Sequence, residues 1–219
     1  MSMEQPIRPH SKKVTGEPMI QIDNIELPIN TIEDSGCYIP ILHACKKQLD
    51  SLLTYHCKVF TYRFDLHLKN ATDDNRIVSE FIRKLRKKLT RKFGPKRITF
   101  KRVGFIWARE QHDAQTQHYH FALLLDGSKI RHPKNLHTML TVIAQQLKMT
   151  VAGCPRPYAN LNRENLDKYK DFFYRVSYLA KERGKEKGKR KESANDYSAS
   201  RIKPNRANAW QGCLEDFAP

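Results

Sequence analysis

The sequence predicts an α+β protein, a mostly antiparallel sheet with helices packed against it, and three observations carry that expectation. Hydrophobic residues make up 39% of the 219 positions, enough for a core of ordinary size. Segments with apolar residues at helical spacing alternate with segments rich in aromatic and β-branched residues. Two of the strand segments are separated only by the polar run 111–116, too short for a crossover connection, so they form a hairpin. Strands joined both by helices and by a hairpin belong to the α+β class.

Residues 1–36 are polar and carry Pro6, Pro9, Pro18 and Pro28, which reads as an N-terminal arm with one short strand near Met19–Ile22. From Ile39 to Leu53, Ile41, Leu42, Cys45, Leu49, Leu52 and Leu53 recur at helical spacing. Lys58–Leu68 alternates in hydrophobicity from Tyr62 onward and reads as a strand. Asp73 or Asp74 caps the next helix, whose stripe is Ile77, Val78, Phe81, Ile82, Leu85 and Leu89; the rest of its surface is basic, and Gly94-Pro95 ends it. The hairpin strands are Val103–Glu110 and Gln117–Asp126, and Leu136–Lys148 is a further helix. Past a loop with Gly153, Pro155 and Pro157, the last strong helix is expected over Asn165–Arg183, running on toward Lys185–Lys191. One or two further strands are expected within 19–30, 98–101 or 150–162. The organisation expected is an arm (1–36), one folded domain (37–191) and a flexible basic tail (192–219).

With 40 Lys and Arg against 23 Asp and Glu, the formal net charge is +17. Such a field concentrates polyanions and makes nucleic acid the leading partner, ahead of a ribosomal or membrane surface. At least one of the basic helix 77–93 and the basic stretch 181–206 is expected to flank the active-site face and track a DNA backbone. The five cysteines are odd in number, scattered and without a CxxC pair, which suits a reducing cytoplasm. The opening residues lack the apolar stretch of a signal peptide, and no run reaches membrane-spanning length.

Two constellations carry chemistry. His118 and His120 are two apart on a strand and so share a face, while Tyr119, Phe121, Leu123 and Leu125 face the core. Glu110 ends the neighbouring hairpin strand within cross-strand reach of His118. One carboxylate and two imidazoles make a three-ligand set that accepts a divalent metal, Mg²⁺ or Mn²⁺, and in vitro Zn²⁺ or Co²⁺; His112 and Gln117 are the alternative third ligands. The second constellation is Tyr174, Tyr178 and Lys181, whose offsets of four and three put them on one helical face. A phenol ionising near pH ~10 is a poor nucleophile, and a neighbouring ammonium favours its anion. Metal plus positioned nucleophile is what phosphodiester transfer requires.

At these residues the chain resembles the HUH endonucleases: His118-Tyr119-His120 is similar to their His-hydrophobic-His motif, and Tyr178-Leu-Ala-Lys181 to their Tyr-x-x-Lys motif. Phe60–Leu68 stands where that family has its first motif strand, and Tyr174 matches the extra tyrosine of initiators from small single-stranded DNA phages. Over roughly residues 55–185 the likeness is to the filamentous-phage gene-two replication proteins and their enterobacterial prophage relatives of the YagK/YfjJ kind. The resemblance implies a five-stranded, RRM-like antiparallel palm with helices behind it. It implies nicking of single-stranded DNA or an origin hairpin to give a 5′-phosphotyrosine and a free 3′-OH, for rolling-circle replication of a prophage-like element. A host helicase and polymerase are then the implied partners. A single-tyrosine transposase and a non-catalytic nucleic-acid-binding protein with the same palm are the competing readings. The Tyr at the middle of the histidine motif departs from the more common aliphatic residue.

Overall fold

The computed structural model describes residues 14–31, 36–91, 96–110, 117–182, 195–205 and 207–208. Along the chain, β1 (Val14–Thr15), β2 (Met19–Ile22), β3 (Ile25–Pro28) and β4 (Cys37–Tyr38) precede α1 (Ile39–Tyr55). Then come β5 (Lys58–Leu68), α2 (Arg76–Leu89), β6 (Gly104–Glu110), β7 (His118–Asp126), α3 (Lys134–Gln146), β8 (Met149–Ala152), β9 (Tyr158–Asn162), α4 (Leu166–Val176) and β10 (Tyr197–Ala199). A short 3₁₀ turn, Ser177–Ala180, follows α4 directly.

The main sheet has the order β10-β6-β7-β5-β8, with β9 also on β5, and every pairing in it is antiparallel. β8 lies against Asp65–Leu68 and β9 against Lys58–Tyr62, so the two share one edge of β5. The six strands therefore occupy five positions, and the palm expected from the resemblance is one strand richer because the chain from 149 to 162 breaks at its glycine- and proline-bearing loop. The segment 98–101 forms no named strand.

Helices cover both faces rather than one. Val59, Ile106, Ala122, Leu124 and Leu161 pack with Leu42, Leu49 and Leu53 of α1 and Phe172, Phe173 and Val176 of α4. On the other face Phe64, Leu66, Tyr119, Phe121, Leu123 and Leu125 meet Val78, Phe81 and Leu85 of α2 and Leu136, Leu140 and Ile143 of α3. Period-two alternation on the central strands feeds both cores, and the aromatic ladder Tyr62–Phe64–Phe121 (ring centroids 5.6 and 5.2 Å apart) fills the α2/α3 side.

Both terminal segments contribute more than the sequence suggested. Within 1–36, β2 and β3 form a hairpin whose Ile22, Ile25 and Leu27 are buried in the α1/α4 core, so apolar burial ties the expected arm down. Within 192–219, β10 pairs with Ile106–Ala108, and Ser200 Oγ accepts from Phe105 N and donates to Gln48 Oε1. An edge strand otherwise left with unpaired backbone groups recruits this stretch despite its polar composition.

The last helix is shorter than expected. It ends at Val176, and Lys181 is extended (φ −52°, ψ 135°) and bridged to Cys37, with Glu182 N donating to Gly36 O at 2.8 Å. Asn30 N donates to Ser177 Oγ, which itself donates to Tyr174 O, so tertiary contacts tighten the final turn and draw the chain toward β4. The continuation proposed over 185–191 and the Gly94-Pro95 stop lie outside the described residues.

Candidate metal centre and tyrosine cleft

On the α1/α4 face the side chains change character along each central strand. β7 runs Leu124, Ala122, His120, His118, β6 runs Ile106, Ala108, Glu110, and β5 runs Val59, Thr61, Arg63, Asp65, His67. The apolar ends lie under α1 and α4; the polar ends gather into a site. Register makes this gathering unavoidable, since Glu110 is directly opposite His118 and Asp65 directly opposite His120.

One donor atom from each of Glu110, His118 and His120 lies within 4.8 Å of the others. Glu110 Oε2 is 2.6 Å from His120 Nε2 and 3.8 Å from His118 Nε2. Ligands around one ion at ~2.1 Å stand at most about 4.2 Å apart, so small adjustments would let the three close on a cation. Gln117, the alternative ligand, is buried and hydrogen-bonded through both amide atoms to Thr72, and His112 lies outside the described residues.

Asp65, which sequence reasoning missed, accepts from His120 Nδ1 at 2.7 Å. That bond fixes the ring and leaves Nε2 facing Glu110 and the shared site, the arrangement of a carboxylate-oriented metal histidine. Burial opposes charge on His120, but the bonds to Asp65 and Glu110 outweigh it and raise its pKa. Burial, followed by the nearby His120, lowers the pKa of His118 and favours the neutral imidazole a metal needs. Burial would raise the pKa of Asp65, yet the His120 bond brings it below the usual carboxylate range. His67, the opposite number of His118 on β5, stacks on that ring at 5.0 Å and 9°. The available signal was that Arg63, Asp65 and His67 fall at alternate positions, and so on one face, of an otherwise largely apolar strand.

The 3₁₀ turn delivers Tyr178 to the same place. Its ring lies 5.0 Å from the His120 ring, edge to face, and Lys181 Nζ is 5.0 Å from the Tyr178 centroid. Just past the turn Lys181 N donates to Tyr178 O at 3.2 Å, which keeps Lys181 beside Tyr178 even though the α-helix has ended. Tyr174, Tyr178 and Lys181 line one cleft of about 460 Å³ with Arg63, Asp65 and Arg175. All six expected site residues thus fall in two adjoining groups. The basic helix α2, by contrast, packs on the opposite face, because its apolar stripe is taken by Phe64, Phe121 and their neighbours. The cations beside the site are Arg63, Arg156, Arg175 and Lys181, the last of which begins the basic stretch 181–206.

The fold and site define an α+β domain with a His/Glu cluster fit for a metal ion and a tyrosine beside it. The model of the YagK/YfjJ C-terminal domain family matches residues 23–159, and the chain belongs to that family. The match takes in Asp65, Glu110, His118 and His120 and stops before Tyr174. No curated protein and no solved structure matches the chain. No helix among the described residues is long and apolar enough to cross a membrane.

Proposed function

We propose that the protein nicks single-stranded DNA in the manner of HUH endonucleases, by transferring a phosphodiester to Tyr178. The observation that carries this reading is the convergence of Glu110, His118 and His120 with Tyr178 edge-on to His120. A divalent cation held by Glu110, His118 and His120, Mg²⁺ or Mn²⁺, would supply polarisation of a phosphoryl oxygen. The Tyr178 phenol oxygen attacks phosphorus and gives up its proton to solvent. The bond from phosphorus to the 3′-oxygen breaks, that oxygen takes a proton, and a 5′-phosphotyrosine and a free 3′-OH result. Lys181, against the Tyr178 ring, stabilises negative charge on the attacking phenol or on the phosphoryl group. Tyr174, in the same cleft, is available as a second nucleophile. In this role the protein starts rolling-circle replication of a prophage-like element at an origin hairpin, with a host helicase and polymerase acting on the exposed 3′ end.

The test is to incubate the protein with a random pool of single-stranded DNA and Mn²⁺ or Mg²⁺, then look for a covalent adduct on a denaturing gel. An adduct that is lost in the His118→Ala/His120→Ala double variant, while DNA binding persists, supports the reading. No adduct from the intact protein with either ion refutes it, and binding without cleavage would favour a non-catalytic nucleic-acid-binding protein.

A further inference from the structure

The cleft cations differ in how their donors are used. Arg175 donates through Nε, Nη1 and Nη2 to Asp171 and to the carbonyls of Arg156 and Tyr158, so it braces the loop between β8 and β9. Arg156 pairs with Asp171 at the exposed rim. Lys181 is anchored through its backbone to Cys37 and lies against Tyr178. Arg63 stands apart. It rises from the middle of β5, is only 8% exposed, and its Nε is buried with no hydrogen-bond partner among the described residues. Its Cζ lies 5.4 Å from the Tyr178 ring centroid, and it lines the cleft beside Asp65. Burial of this guanidinium carries a desolvation cost that the Tyr178 ring and Asp65 beside it offset, and a phosphate reaching the guanidinium from the cleft would offset it further. Its planar fork matches two phosphate oxygens at once, which an ammonium does not.

We infer that Arg63 is the phosphate-binding residue of this cleft, receiving non-bridging oxygens of a DNA phosphodiester and holding it beside Tyr178. The inference rests on the reading of the cleft as a DNA-nicking site and assigns the group that receives its substrate. Arg63 and Lys181 then both lie against the Tyr178 ring, one gripping the phosphate from the sheet and the other from the segment that follows the 3₁₀ turn. The rival role is that Arg63 only balances the charge of Asp65, in which case added phosphodiester finds nothing to bind.

Titration of the ¹⁵N-labelled protein with dimethyl phosphate, a diester with neither sugar nor base, tests this directly. The Arg63 Nε–H signal, assigned by its loss in Arg63→Lys, should shift saturably, and sodium chloride at equal ionic strength should not reproduce the shift. Affinity for a short oligothymidylate should fall about ten- to hundredfold in Arg63→Gln, be partly restored in Arg63→Lys, and hardly change in Arg83→Gln on α2. An Nε–H signal that stays still, or an Arg63→Gln loss no larger than that of Arg83→Gln, overturns the assignment; the titration decides even where Arg63→Gln fails to fold. A still signal in a protein that forms the tyrosine adduct leaves nicking standing without Arg63. A saturable shift in a protein that forms no adduct leaves a phosphate site and removes the nuclease.

Discussion

Removing the carboxylate of Asp65 should weaken metal binding without touching a ligand. Asp65 Oδ1 sits 2.7 Å from His120 Nδ1, and on the ring's other side Glu110 Oε2 is 2.6 Å from Nε2. The side chain of Asp65 is 21% exposed and that of His120 4%, so the bond is a shielded, charge-assisted one. Hydrogen bonds to charged groups contribute about 1.5–3 kcal/mol, and partners that orient a metal histidine about 10- to 100-fold in affinity. At about 1.4 kcal/mol per tenfold these two figures agree. Asp65→Ala should therefore raise the Mn²⁺ dissociation constant about 10- to 100-fold. Asp65→Asn, which still offers Nδ1–H an oxygen but no charge, should fall nearer the low end. The assay is Mn²⁺ titration followed by electron paramagnetic resonance, with circular dichroism confirming that both variants remain folded. An Asp65→Ala affinity within about twofold of the parent would refute the claim that this carboxylate orients His120.

Other expectations follow from the same geometry. Tyr178→Phe should abolish the covalent adduct in a single-turnover assay, whereas Tyr174→Phe should keep first cleavage and impair strand transfer; the opposite pattern would exchange their roles. Removal of residues 195–219 strips β10 from β6 and exposes the Ile106–Ala108 edge, so melting temperature should drop and light scattering should report association; an unchanged, monodisperse protein would contradict this. His56 has its pKa lowered by burial, its Nε2 is buried without a partner among the described residues, and Asp126 stands 3.6 Å from Nδ1. A depressed histidine is neutral when folded, so the unfolded chain takes up the proton first and stability is lost as pH falls through about 6.5. Thermal melts across that range should show the loss, and His56→Gln should flatten it.

The strand and helix segments could be read from the sequence because their signals are local. The alternation in Lys58–Leu68 and Gln117–Asp126 specifies two buried faces, and the stripe Val78, Phe81, Leu85 specifies a helix whatever packs on it. The grouping of Glu110, His118 and His120 was legible for a similar reason, since a hairpin places residues by register. Asp65 and Arg63 were not, because they come from a strand whose pairing with β7 is set by contacts 55 residues apart. The tyrosine cleft was half legible: the offsets of Tyr174, Tyr178 and Lys181 are in the sequence, but the helix that was to present them stops at Val176. Asn30 and Cys37, far away in the chain, decide that stop through Ser177 and Lys181. In the same way the burial of Ile22 and Leu27, and the pairing of Tyr197–Ala199 with β6, depend on partners that only the folded sheet provides. Local periodicity determines which segments are strands and helices; long-range pairing determines which polar side chains end up beside His120, because that choice is made by the sheet edge and the core that each segment finds.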